Sequence, residues 1–144
     1  VEIIIDDATL EDFATFTPHD KNIAEIKAAV NIDFDVIMAA LYDASTDKKK
    51  VLCGNKIICL IGMVENSIWL YFSSGVDKLP LSFFKASRKF INEMLKKYPL
   101  IEGNIYYKNT FSLDWAKFMG FKICEPHLEG LHNEPFYRFY QERS

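Results

Sequence analysis

The apolar positions of the chain change period several times, and each change marks an element. Ile3 to Ile5 is a short β-branched run that reads as a strand. Asp7 or Thr9 then caps a helix carrying Leu10, Phe13 and Phe16 on one face, and Pro18 ends it. Asp20 caps a second helix with Ile23, Ile26 and Val30 at helical spacing. Asn31 interrupts it, and Asp33 starts another with Phe34, Ile37, Met38, Leu41 and Tyr42 inward. From Lys49 the period shortens. Lys49–Cys53, Gly54-Asn55 and Lys56–Val64 read as a β-hairpin, because Gly-Asn takes the positive φ values of a two-residue turn. Ile57–Val64 is almost continuously apolar and so reads as a central strand buried on both faces. Ile68–Ser73 follows as a third strand of a meander.

Pro80 sits where a first helical turn tolerates it. From Ser82 to Tyr98 the apolar positions keep a 3.6-residue period, which predicts the longest helix, stopped by Tyr98-Pro99. Asn104–Tyr107 reads as a strand, and Phe111–Met119 as a helix with Phe111, Trp115 and Phe118 on one face and Gly120 closing it. Phe121–Cys124 is a further strand. His127 and His132 fall in a loop, and Pro135–Gln141 alternates as a last strand. A meander followed by strand–helix–strand crossings predicts one mixed α/β domain over residues 1–144, with six or seven strands and helices on both faces. Ile58, Leu60, Phe84, Phe90, Ile91, Leu95, Phe118 and Phe121 are the expected core.

Composition narrows the function. The 144 residues are 49% hydrophobic and 26% charged, with a net charge of −3, and their 17 basic residues include three arginines, Arg88, Arg138 and Arg143. That balance disfavours a nucleic-acid partner, which needs a basic face. No stretch approaches the ~20 apolar residues of a membrane span. Three cysteines without close spacing, and His127 and His132 without a ligand pattern, predict neither disulfide nor metal site. The expectation is a soluble cytoplasmic protein. The aromatic segment Phe136–Tyr140 is expected to serve core on one face and a protein partner on the other.

Asn109-Thr-Phe-Ser-Leu-Asp-Trp115-Ala-Lys-Phe-Met-Gly120-Phe121 resembles the end of the GNAT acetyltransferase fold, where an Asn after the fifth strand opens a helix that closes with Gly-Phe into the sixth. The element order is also that of the fold, so the resemblance covers the whole chain in topology and about residues 68–124 in sequence. Trp69-Leu70, the Ser87-Arg88-Lys89 helix before Tyr98-Pro99, and Trp115 before Gly120-Phe121 look most like the divergent phage-encoded branch, which includes internal-virion-protein-A-like proteins. The resemblance implies a mostly antiparallel sheet with a splay between the fourth and fifth strands, and acetyl-CoA lying in it. In the family the pantetheine arm hydrogen-bonds along the fourth strand, here ending at Phe72, Ser73, Ser74 and Gly75. Asn109 would reach the same chain.

The sequence departs from the family where the diphosphate sits. The family turn, Q/R-x-x-G-x-G/A, offers several bare N–H groups to an anion. Here Ser74–Ser82 has only Gly75. Pro80 lacks an N–H and Asp77 adds a repelling charge, against which Lys78, Ser82 and Arg88 are the available compensation. The frequent general-acid Tyr, seven residues after the Asn, falls at Ala116. A phenol on a strand flanking the splay, Tyr71, Tyr106 or Tyr107, can replace it. Alternation lets only one of Tyr106 and Tyr107 face the cleft, and Tyr107 is the candidate. Two functions follow from the resemblance and the departures: transfer of acetyl from weakly held acetyl-CoA to an amine, or a non-catalytic phage virion or host-interaction protein on the same scaffold.

Overall fold

The computed structural model describes residues 2–144. Its elements are β1 (Ile3–Asp7), α1 (Leu10–Thr15), α2 (Asp20–Ala29), α3 (Phe34–Ala44), β2 (Asp47–Cys53), β3 (Lys56–Val64), β4 (Ser67–Phe72), α4 (Leu81–Lys97), β5 (Leu100–Tyr106), α5 (Thr110–Phe118), β6 (Lys122–Ile123), β7 (His127–Glu129) and β8 (Glu134–Glu142). The sheet order is β1-β2-β3-β4-β5-β8-β6, with β7 pairing β8. All pairs are antiparallel except β4 with β5.

Local chemistry accounts for the boundaries. Thr9 caps α1 in a reciprocal box: Asp12 N–H donates to Thr9 Oγ1, and Thr9 N–H donates to the Asp12 carboxylate. Gly54 turns the β2–β3 hairpin at φ +64. Cys59 to Met63 are buried on both faces of β3. The faces of β4 divide the core. Ile68, Leu70 and Phe72 pack with Phe83, Phe90, Ile91 and Trp115 under α4 and α5. Trp69 and Tyr71 pack on the other face with Phe13, Phe34 and Met38 of α1 and α3.

β4 and β5 are joined at one register position, Ser67↔Glu102, and part beyond it. The splay expected between the fourth and fifth strands is therefore present, and the sheet is the mixed, mostly antiparallel one anticipated.

Three expectations need correction. The sheet has eight strands, because the His127 loop pairs as β7 with residues 134–136. This arm is mostly exposed and carries no β-branched run, so pattern does not reveal it. Phe118 is not core: it is 56% exposed, since α5 ends there and Met119 turns in instead. Its ring stacks on Phe84 at 4.6 Å, outside the core. Phe84 and Leu95 are only half-buried and flank the core, because α4 turns Phe83, Ser87, Phe90, Ile91 and Met94 inward; Phe90 and Ile91 are core as expected.

Candidate active site in the strand splay

The splay exposes two strand edges, and α2 stands between them. Ser73 N–H donates to Ile58 O (2.9 Å) on β3. Alternation then turns the backbone groups of Leu70, Phe72 and Ser74 away from β3, into the splay. Every one of these that bonds does so with the segment leading into α2 or with α2 itself. Ser74 N–H donates to Thr17 O (2.8 Å), and His19 N–H donates to Phe72 O (2.8 Å). Pro18 forms an antiparallel bridge with Ser73. Phe72 N–H donates to Asn22 Oδ1 (2.8 Å), and Asn22 Nδ2 donates to Leu70 O (3.3 Å). Residues 17–19 thus run along β4 as a short added strand, and the buried Asn22 side chain continues the pairing where the chain turns into helix. His19 makes that turn: as N-cap of α2 its Nδ1 accepts from Lys21 N–H (3.1 Å).

The β5 edge is held one helical turn later. Glu25 Oε1 accepts from Tyr106 N–H (2.7 Å), and Oε2 accepts from Asn109 Nδ2 (3.2 Å). Asn22 and Glu25 are three residues apart, hence on one face of α2, and they grip opposite edges. Asn109 also caps α5, its Oδ1 accepting from Ser112 N–H (3.3 Å). Burial pushes the Glu25 carboxyl up to about 7, against the pull of the bonds from Tyr106 and Asn109. The Tyr71 phenol is also pushed up, first by burial and then by the Glu25 charge. Between the edges a cavity of about 140 Å³ remains, lined by Glu25, Leu70, Tyr71, Asn104, Ser112 and Trp115. The indole N–H of buried Trp115 has no partner.

The residues singled out from sequence are distributed as follows. Phe72, Ser73 and Ser74 lie at the splay with their N–H groups engaged within the chain. Gly75 is exposed at φ +81 in the following turn. Asn109 is fully buried and joins Glu25. Tyr107 does not line the cavity; its N–H donates to Pro135 O (3.1 Å) and its ring meets Tyr106 edge-on at 5.0 Å. Of the three tyrosines on the flanking strands, Tyr71 is the one among the residues that line the cavity. Tyr106 turns away, donating to Glu134 (2.9 Å), and is pushed up to about 12 chiefly by burial. Ala116 is buried core. In the turn between β4 and α4, Pro80 caps α4 without a side-chain bond. Arg88 is spent on α5, its Nη2 donating to Phe118 O (2.5 Å).

Sequence reading missed Asn22, His19 and Glu25 as site residues. For Asn22 and Glu25 the signal is two polar residues at i and i+3 in a helix whose neighbours Ile23 and Ile26 are apolar. Among the described residues, no group of three His, Cys, Asp or Glu side chains is gathered to hold a metal. No helix among them is long and apolar enough to cross a membrane.

No protein-family model matches the sequence, and no curated protein matches it. Solved structures do match, acetyltransferases among them. Spermidine N-acetyltransferase from Vibrio cholerae, in complex with CoA and spermine, aligns over 98% of this chain and 95% of its own at 14% identity, with a TM-score of 0.64. Aminoglycoside acetyltransferase AAC(6')-Ib, in complex with coenzyme A and kanamycin, gives 0.68 at 11% identity over 99% and 95%. Ribosomal-protein-alanine N-acetyltransferase from Brucella melitensis gives 0.66 at 13% identity over 96% and 99%. The chain has the GNAT acetyltransferase fold.

Proposed function

We propose that this chain uses the GNAT fold as a scaffold for a protein partner and does not transfer acetyl groups. The observation that carries this reading is the sealed β4 edge. A pantetheine arm binding there in the family's manner must displace four bonds: Ser74 to Thr17, His19 to Phe72, Phe72 to Asn22, and Asn22 to Leu70. At about 0.5–1.5 kcal/mol net each, that is roughly 2–6 kcal/mol of competition. Affinity falls by about one and a half to four orders of magnitude. The single-glycine turn and the committed Arg88 remove much of the support for a diphosphate, in the same direction. The resemblance to the phage branch makes a virion or host-directed partner the specific form of this reading.

One observation favours the alternative, acetyl transfer to an amine. Glu25, held near 7 beside the cavity, has the proton affinity of a general base for an ammonium group. Titration calorimetry of the full chain with acetyl-CoA separates the two. The scaffold reading expects no saturable binding below about 1 mM. A low-micromolar dissociation constant, lost in Ser74→Pro and kept in Lys49→Ala, overturns it in favour of transfer.

A further inference from the structure

The sheet ends in two unlike edges. β6 is two residues long, too short to template another strand. β1 is five residues long and begins with three isoleucines. Ala8 N–H donates to Lys48 O (3.0 Å), and the register is Asp7↔Lys49. The backbone groups of Ile4 and Asp6 therefore face β2, while those of Ile3 and Ile5 face outward. No strand among the described residues pairs with that outer edge. Asp7 N–H is already taken by its neighbour Asp6 Oδ1 (2.8 Å), so the open ladder is at Ile3 and Ile5.

Beside this edge lies a groove of about 580 Å³, between β1 and α4. Ile3, Ile5, Ala86 and Phe90 give it an apolar floor, and Lys85 and Lys89, one turn apart on α4, stand on its wall. Neither lysine has an ion-pair partner within 4 Å among the described residues, although Glu2 and Glu93 also line the groove. Lys49, at the same groove, is paired with Asp7 at 2.5 Å. On the opposite face Ile4 is 45% exposed, so a strand laid here meets apolar surface on both sides.

We propose that the β1 edge docks one extended segment of a partner polypeptide, which adds as a further strand. Its backbone pairs with Ile3 and Ile5, and its alternate apolar side chains fill the groove over Ala86 and Phe90. An acidic side chain on the same face meets Lys85 and Lys89. A second copy of this chain is a poorer occupant, because a two-fold pairing brings both pairs of lysines to one interface. The site is remote from the splay and holds whether or not acetyl-CoA binds.

The test uses the full chain and a capped octapeptide alternating valine with threonine, one central valine replaced by glutamate. Binding is followed by amide chemical shifts and calorimetry. The expected result is saturation with a dissociation constant below about 1 mM, and shifts centred on Ile3 and Ile5. Affinity should fall roughly tenfold or more for each of three changes: N-methylation of the peptide amides that face β1, lysine in place of its glutamate, and the protein double variant Lys85→Glu/Lys89→Glu. Lys122→Glu, on β6 at the opposite end of the sheet, should leave it unchanged. Ile5→Pro blocks the edge from the protein side, and the N-methylated peptide tests the same bond without altering the fold. Three outcomes overturn the proposal: no saturation at several millimolar, shifts that map elsewhere, or affinity indifferent to N-methylation or charge reversal. Dimerisation through β1 in sedimentation overturns the choice of occupant.

Discussion

Asn22→Ala is the sharpest perturbation of the sealed splay. Asn22 is fully buried and bonds two backbone groups of β4, the Phe72 N–H at 2.8 Å and the Leu70 carbonyl at 3.3 Å. Truncation leaves the N–H of the equally buried Phe72 without a partner, at about 1–3 kcal/mol. Loss of the longer bond to Leu70 adds about 0.5–1.5 kcal/mol. The expected destabilisation is therefore about 2–4 kcal/mol. In a urea titration with a slope near 2 kcal/mol per molar, the midpoint drops by roughly 1–2 M. Lys27→Ala, exposed on the same helix, is the control and should stay within about 0.5 kcal/mol. Hydrogen exchange gives an independent readout, because the Phe72 amide should lose protection ahead of its β3-paired neighbour Ser73. A loss below about 0.5 kcal/mol with Phe72 still protected would refute the reasoning, since the edge would then be satisfied without Asn22.

Glu25 predicts a pH dependence. Its carboxyl is held at about 7 in the fold against an ordinary value of 4.5, so between these values the folded chain binds the extra proton. The penalty for Glu25 is absent below 4.5 and grows as pH rises through 7, to about 3 kcal/mol at most. Urea midpoints should fall over that window and flatten in Glu25→Gln, and a slope unchanged by the substitution would remove Glu25 as its source. Trp115 and Phe118 of α5 should separate in thermal melts. Trp115→Ala, fully buried, should cost about 3–5 kcal/mol, while Phe118→Ala, stacked in the open on Phe84, should cost no more than about 1.5 kcal/mol; equal losses would contradict the observed helix face.

The sequence made the meander, the long α4 helix and the parallel crossover legible because each carries a periodic apolar signal or a turn residue with one conformational use. Gly54, Pro80 and Gly120 mark ends that the structure keeps within a residue or two. The face of α4 was legible only to within part of a turn, since Phe83 and Phe84 offer the core equal hydrophobicity and the strands beneath decide between them. β7 was hidden because its pairing depends on a turn, with Gly130 and Asn133 at positive φ, more than on its own residues. Asn109 was legible as the residue that opens α5, but its partner across the splay was not. Glu25 lies 84 positions away, and local pattern carries no information across that distance. The same limit concealed Asn22, whose partners are 48 and 50 residues downstream.

The occupant of the β4 edge is tethered, and that changes the terms on which any diffusing molecule competes for it. Thr17, Pro18 and His19 are covalently fixed to α1 and α2, both anchored on the sheet. A segment held so close to its target acts at an effective concentration of about a millimolar or more. A free ligand with intrinsically equal affinity for those backbone groups would have to reach that concentration merely to share the edge. Added contacts to a ligand would therefore do less to open the splay than lengthening the connection between α1 and α2, which dilutes the tethered strand without changing one atom of β4.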